Sequence, residues 1–105
     1  MTIDLQPNEQ ILMKAMANHM LHGITSIGYL WLTNQRVFFC TRPINFKHET
    51  FSFPLHEIRD VTTPNILKIF PQGLHITSNS GLEATFSVWN RKKWITSING
   101  LRFLK

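Results

Sequence analysis

The 105-residue chain contains a single cysteine, Cys40, which excludes an intrachain disulfide. No window approaches the apolar length of about 20 residues that a membrane-spanning helix needs. The first ten residues, MTIDLQPNEQ, lack the basic and apolar segments of a secretory signal. We also find no internal repeat, low-complexity tract or linker. These absences predict a single domain over residues 1–105 that is cytoplasmic, with peripheral membrane contact left open.

Acidic residues are scarce. Six Asp and Glu stand against 11 Lys and Arg, which gives a formal net charge of +5 and a pI near 9.9. Such an excess of positive charge leaves anionic membranes and nucleic acid open as partners. The composition, 43% hydrophobic and 16% charged, is that of a folded globular domain.

Most of the chain from Gly28 onward predicts β-structure. Residues 29–32 and 37–40 are apolar runs that flank the polar tetrad Thr33-Asn34-Gln35-Arg36, a pattern typical of a hairpin. Residues 82–88 give the cleanest alternation of apolar and polar side chains. Further short strands are predicted at residues 50–53, 58–63, 66–70 and 74–77. Because short antiparallel strands leave open edges, this pattern favours a barrel or two orthogonal sheets closed by a helix.

Two segments carry helical signals. Residues 9–20 have a helix-forming composition, with apolar residues on one helical face. At the other end Asn90 is a candidate N-cap, and Gly100 is the predicted end of the regular helix. The predicted buried stripe of this C-terminal helix consists of Trp94, Ile95, Ile98 and Leu101.

Residues 9–12, EQIL, and residues 28–39, GYLWLTNQRVFF, resemble the opening of a GRAM domain, a member of the pleckstrin-homology-like superfold. Residues 53–61 and 73–81 resemble later strands, and Trp94 occupies the position of the capping helix. The resemblance covers residues 9–100. It implies a mainly β, PH-like barrel of about seven antiparallel strands in two orthogonal sheets, capped by one C-terminal α-helix. It also implies that residues 9–20 form the first strand despite their helical composition.

No catalytic residue is predicted. The acids form no recognisable catalytic motif, and no nucleophile motif surrounds Cys40, which we expect to be a buried structural thiol. His19 and His22 form an HxxH pair, but neither CxxC nor HExxH is present, so no metal site is predicted. The glycines match no phosphate-binding loop, and no cofactor is predicted.

Lipid binding is the function that the resemblance suggests first. Phosphoinositide-binding relatives use a lysine before the first loop and a pair of cations on the second strand. Lys14 is the candidate for that lysine, but residues 28–32 carry no cation, so no specific headgroup pocket is predicted. Weak contact with anionic lipid is predicted for loop residues instead, and Met20 and Leu21 are candidates for insertion into a membrane. The candidate ligand-binding residues are Arg42, Lys47, His48 and His22, with His19 nearby.

Arg91-Lys92-Lys93 is the only basic run, and it falls in the first turn of the predicted helix, where the helix dipole disfavours cations. We interpret it as a candidate anion or partner surface. The predicted function is a non-enzymatic binding module that contacts a protein partner, a second copy of itself or, weakly, an anionic phospholipid. The alternative is a basic nucleic-acid-binding domain. Against that alternative, the aromatic residues follow the core pattern and do not interleave with arginines.

Overall fold

In a computed structural model, residues 3–21, 23–42, 49–64 and 72–103 are described, and they form seven strands and one α-helix. In chain order these elements are β1 (Ile11–Leu21), β2 (Ile24–Thr33), β3 (Arg36–Thr41), β4 (Thr50–Pro54), a 3-10 turn (Leu55–Glu57), β5 (Ile58–Thr62), β6 (Gly73–Ser78), β7 (Glu83–Val88) and α1 (Arg91–Arg102). The predicted strand at residues 66–70 lies outside the described residues.

The strands are hydrogen-bonded into one antiparallel sheet in the order β4-β3-β2-β1-β7-β6-β5. β1 joins its two halves, because it pairs along its length with β2 and, from Ala17 to Met20, also with β7. The single sheet contributes residues from all of its strands to one core, against which α1 packs, and this confirms the predicted mainly β, PH-like fold of seven antiparallel strands and one C-terminal helix.

β1 is a strand although its composition favours a helix. Met13 and Ala15 are partly buried against the core, and Ala17 and His19 are buried, so every second residue faces inward. Pairing with β2 from Ile11 to Leu21 stabilises this extended backbone. Tertiary context therefore overrides local helix propensity here, as the family resemblance implied.

The β2–β3 hairpin supplies the centre of the core. Leu30, Leu32, Val37 and Phe39 are each at most 1% exposed. Gly28 is required where β2 passes β3, because a Cβ atom there would lie only 2.3 Å from the backbone oxygen of Cys40. The predicted hairpin is confirmed, and its large apolar side chains build the scaffold.

Two predicted inward positions are wrong. Cys40 is half-buried, because β3 turns Val37, Phe39 and Thr41 inward and leaves Cys40 on the outer face of the sheet. Leu82 precedes β7 and is 40% exposed, so it does not continue the buried row of that strand.

α1 packs Trp94 and Ile98 into the core, as predicted. Asn90 is the N-cap residue, as predicted, but its capping bond and the predicted end of the helix need correction. Asn90 has the left-handed backbone conformation (φ 59°) and makes no side-chain cap; its carbonyl instead accepts hydrogen bonds from two first-turn N–H groups. The helix also continues past Gly100 to Arg102, because Leu101 packs on the core and the Arg102 guanidinium donates to the Ile58 carbonyl at 3.1 Å.

An arginine at each end of α1 ties the helix to β5, at one end of the described strand order, or to the two residues that follow it. Arg91 donates through one nitrogen to the carbonyls of Thr63 and Pro64, at 2.9 and 2.8 Å. Arg102 donates to the carbonyls of Ile58 and Arg59. These bonds fix the helix along the strand that it covers.

Candidate binding site

The ends of β1, β4, β6 and β7 surround a small cavity of about 160 Å³, which we call the mouth cavity. The antiparallel register places these ends together, because Met20 of β1 lies opposite Thr85 of β7 and Thr77 of β6 lies opposite Glu83. The residues that line the mouth cavity are His19, Met20, Leu21, Glu49, Phe51, His75, Glu83, Ala84 and Thr85.

Carboxylates and imidazoles dominate the polar lining of the mouth cavity. His19 Nδ1 lies 3.1 Å from Glu49 Oε1, and His75 Nε2 lies 3.9 Å from Glu83 Oε2. His19 is only 4% exposed, and its ring packs against Phe51 with the centroids 4.5 Å apart. Two carboxylates at this position repel a phosphate group, so the mouth cavity is not built to hold one.

The predicted ligand-binding cations do not line the mouth cavity in the described part of the chain. Arg42 is half-buried just beyond β3, and its backbone N–H donates to the Ile27 carbonyl at 2.9 Å. Lys14 lies on the outer face of the sheet, where its ammonium is 4.8 Å from the centre of the Tyr29 ring. The other predicted ligand residues, His22, Lys47 and His48, lie outside the described residues.

His19 is not the surface residue that the sequence predicted. The prediction placed it near the first loop as a surface group, but β1 turns it inward against Phe51 and toward Glu49. Among the described residues no group of three or more His, Cys, Asp or Glu side chains is arranged to hold a metal ion.

Exposed aliphatic side chains lie on or next to residues that line the mouth cavity. Leu21 and Ile24 face each other at the tip of the β1–β2 hairpin and are 49% and 67% exposed. Leu82, 40% exposed, precedes Glu83 on the connection between β6 and β7. We call these three residues and Arg42 the rim. The rim thus presents apolar side chains from two connections, and Arg42 lies half-buried at the start of a third.

The basic run at the start of α1 is only partly a solvated surface. Arg91 is used inside the fold, where its guanidinium holds the carbonyls of Thr63 and Pro64. Lys92 and Lys93 are exposed. Two of the three cations are therefore available to an external partner.

A recess of about 720 Å³ lies beside the β2–β3 turn. Its two guanidiniums are engaged by the protein itself. Arg36 is paired with the Glu9 carboxylate, and Arg102 is bonded to β5 carbonyls. The recess therefore offers little free charge to a ligand.

A hydroxyl, an imidazole and a carboxylate do meet at the mouth cavity, but as neighbours on two paired strands. Thr85 Oγ1 lies 2.6 Å from His75 Nδ1, since the two residues face each other between β6 and β7. The 3.9 Å from His75 to Glu83 is too long for a hydrogen bond. Cys40 lies on the outer face, and its thiol contacts the Thr41 carbonyl at 3.5 Å. Neither arrangement shows catalytic activity.

Sequence reasoning missed three residues of the mouth cavity: Glu49, His75 and Glu83. The β6–β7 register offers a signal for two of them, because a turn at residues 79–82 places His75 and Glu83 on neighbouring positions of one face. Glu49 meets His19 across 30 residues of sequence, and no local pattern indicates that contact.

The family described as "Bacterial PH domain" matches residues 5–99, almost the whole of the fold described above. The chain belongs to the bacterial PH domain family. PH domains are generally non-enzymatic binding modules, and the family is one of lipid- and protein-binding domains. No curated protein sequence matches the chain.

Solved structures share the PH fold at low identity. The chain is similar to the C-terminal domain of an unknown protein from Leishmania infantum, with a TM-score of 0.77 and 15% identity over 93% of this chain and 88% of that one. The PH domain of Slm1, solved with phosphoserine, gives 0.59 and 14% over 87% and 91%. A linker-DH/PH fragment of p115-RhoGEF gives 0.69 and 9% over 95% of this chain and 31% of that one.

At these identities the likeness establishes the fold, and the ligand of this chain depends on its own residues. In the described part of the bacterial PH domain no helix has the length and hydropathy needed to cross a membrane.

Proposed function

We propose that this bacterial PH domain is a non-enzymatic, cytoplasmic module that makes weak peripheral contact with anionic phospholipid surfaces through its rim. The observation that carries the proposal is the exposure of Leu21, Ile24 and Leu82 around one opening, with Arg42 on the neighbouring connection. Lys47, His48 and His22 belong to the same proposed surface because they lie in the connections that follow β3 and β1. The narrower GRAM type remains a prediction.

The physical chemistry of the rim favours shallow binding. An aliphatic side chain stabilises membrane contact by up to about 1.5–3 kcal/mol when fully buried, and these three need move only a short way into the headgroup region. Each basic residue near an anionic surface adds about 1 kcal/mol. The carboxylates of Glu49 and Glu83 lie just inside, so a phosphate gains nothing by entering the mouth cavity.

The ligand class has support from one structural neighbour. The Slm1 PH domain is solved with phosphoserine and with inositol-4-phosphate, and one of its structures carries a ligand at a non-canonical site. Nucleic-acid binding, the other class left open by the net charge, is not supported, because the chain falls in a family of lipid- and protein-binding modules.

Cosedimentation with vesicles tests the proposal. With phosphatidylserine–phosphatidylcholine vesicles we expect partial binding at low salt and release at physiological salt, because two or three surface cations are screened over about 8 Å. Replacing phosphatidylserine by a phosphoinositide at equal charge should change binding less than threefold. Salt-resistant binding to one phosphoinositide would show that a specific headgroup pocket exists.

Two variants separate the apolar and the charged parts of the rim. Leu21→Ser with Ile24→Ser should weaken vesicle binding at both salt concentrations, whereas Arg42→Glu with Lys47→Glu should abolish the low-salt component. Thr96→Ser on α1, an exposed residue away from the rim, is a neutral control. Unchanged binding in both rim variants would refute the proposed surface.

A further inference from the structure

A second surface lies on the outer side of the sheet, where β1 meets the end of β7. Met16, Asn18, Gln72, Ser87 and Trp89 line a groove of about 280 Å³, which we call the Trp89 groove. Trp89 is 76% exposed and Met16 is 54% exposed. A tryptophan this exposed is unusual, because its large apolar ring is normally buried or covered by a partner.

The lining of the Trp89 groove is mixed. Met16, Ala17, Val88 and Trp89 contribute apolar surface, and Asn18, Gln72 and Ser87 contribute polar groups. Ser87 donates to the Gln72 side-chain oxygen at 3.3 Å. Within the described part of the chain the Asn18 side chain makes no hydrogen bond, so its amide can both donate to and accept from a peptide main chain. Such a mixed lining suits an extended peptide, which offers both main-chain polar groups and side chains, better than a flat lipid surface.

Positive charge flanks the groove. Lys14 lies two residues before Met16 on the same face of β1, with its ammonium over Tyr29. Lys92 and Lys93 are exposed in the first turn of α1, which begins two residues after Trp89. None of the chain's six carboxylates lines the groove. A second copy of the chain would bring the same cations to this face, so the charge favours an acidic partner over self-association.

We propose that the Trp89 groove binds an acidic peptide segment of a partner protein. An apolar side chain of the peptide inserts between Met16 and Trp89, and its carboxylates face Lys14, Lys92 and Lys93. This surface is distinct from the rim, because Leu82 precedes β7 and Trp89 follows it, and β7 spans about 17 Å from Glu83 to Val88. Both surfaces can therefore be occupied at once, which would make the domain an adaptor between a membrane and a protein.

The fluorescence of Trp89 can be used to detect a ligand in the Trp89 groove. Trp31 and Trp94 are 1% and 2% exposed, so collisional quenching by iodide acts mainly on Trp89. The probe is a set of 12-residue peptides with a central Leu, Phe or Ala, flanked by Glu, Ser or Lys. We expect the Glu-flanked Leu and Phe peptides to shift the emission to the blue and to reduce iodide quenching. Their affinity should exceed that of the Lys-flanked peptides at least tenfold.

Matched charge reversals connect the effect to the groove. Lys92→Glu with Lys93→Glu should weaken the acidic peptides at least tenfold and leave rim-dependent vesicle binding within about twofold. Arg42→Glu with Lys47→Glu, which changes the net charge equally, should do the reverse. Far-UV circular dichroism checks that both variants are folded. Loss of peptide binding in both variants to the same extent would show a net-charge effect and overturn the groove.

Three other outcomes overturn the proposal. The first is that Glu-flanked peptides bind no better than their Lys-flanked counterparts. The second is quenching of Trp89 fluorescence by vesicles with brominated acyl chains, which would make lipid the occupant. The third is a dimer in sedimentation that Trp89→Ser dissociates, which would make a second copy the occupant. Vesicle binding through the rim can succeed or fail in each case, so failure of this proposal is distinct from failure of the lipid proposal.

Discussion

Arg36 and Glu9 form a two-bond ion pair that fastens the N-terminal segment to the β2–β3 turn. Arg36 Nε donates to Glu9 Oε2 at 2.8 Å, and a terminal nitrogen donates to Oε1 at 3.1 Å. Thr33 donates to the same carboxylate at 2.6 Å. Asn34 and Gln35 donate to the carbonyls of Asn8 and Pro7. Each residue of the polar tetrad therefore holds the segment before β1.

Removing the carboxylate of Glu9 should destabilise the domain. Glu9→Gln leaves the Arg36 guanidinium without its counter-charge in a largely buried position, so the free energy of unfolding should fall by about 3–5 kcal/mol at pH 7. Urea unfolding of both proteins measures the difference. Asp4→Asn is the matched control, because Asp4 is exposed and only its backbone oxygen contacts Arg36; it should change the value by less than about 0.5 kcal/mol.

The same pair gives the domain an acid-dependent stability. Burial alone would raise the pKa of Glu9, but the hydrogen bonds from Arg36, Thr33 and the Gln6 backbone, with the positive charge of Arg36, lower it from 4.5 to about 2. A lowered pKa stabilises the fold above pH 4.5 and loses that contribution as the pH falls toward 2. Between pH 5 and 2 the unfolding free energy should therefore decline more steeply in the wild type than in Glu9→Gln. Parallel slopes would contradict this role.

Truncation of Trp89 and of Trp94, on either side of the first turn of α1, should change the free energy of unfolding by very different amounts. Trp94→Ala should lower the free energy of unfolding by about 3–5 kcal/mol, because the ring is 2% exposed and packs in the core. Trp89→Ala, at 76% exposure, should cost less than about 0.5 kcal/mol. Equal denaturant midpoints for wild type and Trp94→Ala would remove the helix from the core.

Cys40 should react with a small thiol reagent without unfolding of the protein, since the side chain is half-buried on the outer face. The labelling rate should be lower than that of free cysteine and unchanged by urea below the unfolding transition. A labelling rate that rises steeply with sub-denaturing urea would mean that the thiol reacts only after local or global unfolding of the protein.

Removing a carboxylate from the mouth cavity should strengthen contact with anionic vesicles. Glu83→Gln should raise low-salt affinity by about fivefold, since one charge near such a surface contributes about 1 kcal/mol. Asp60→Asn on β5 removes the same charge from an exposed position that does not line the mouth cavity, and should have less effect. Equal gains in the two variants would point to net charge alone.

The sequence predicted elements whose partners are close in the chain. The β2–β3 hairpin follows from two apolar runs around a short polar turn, and the helix follows from Trp94 and Ile98. β1 was accessible only through the family resemblance, because its composition favours a helix and pairing with β2 overrides it. The N-cap position of Asn90 was predicted correctly, but its side-chain capping bond was not, because the residue adopts a left-handed backbone that the sequence does not reveal.

The candidate site was less predictable than the fold because charge at a site depends on long-range contacts. The sequence predicts a surface position for His19, yet the residue lines the mouth cavity and contacts Glu49. Arg91 reads as one of three free cations, yet it is bonded to the end of β5. In both cases the partner lies about 30 residues away, and local pattern carries no information about it.

The two arginine clasps along β5 bear on how the protein behaves at high concentration. A strand at the end of a sheet offers backbone groups that can recruit a strand from another molecule and start aggregation. Here Arg102 occupies carbonyls at the start of β5, and Arg91 occupies the two carbonyls that follow its last residue. The helix they hold lies alongside, so the clasps act as a guard against intermolecular strand pairing.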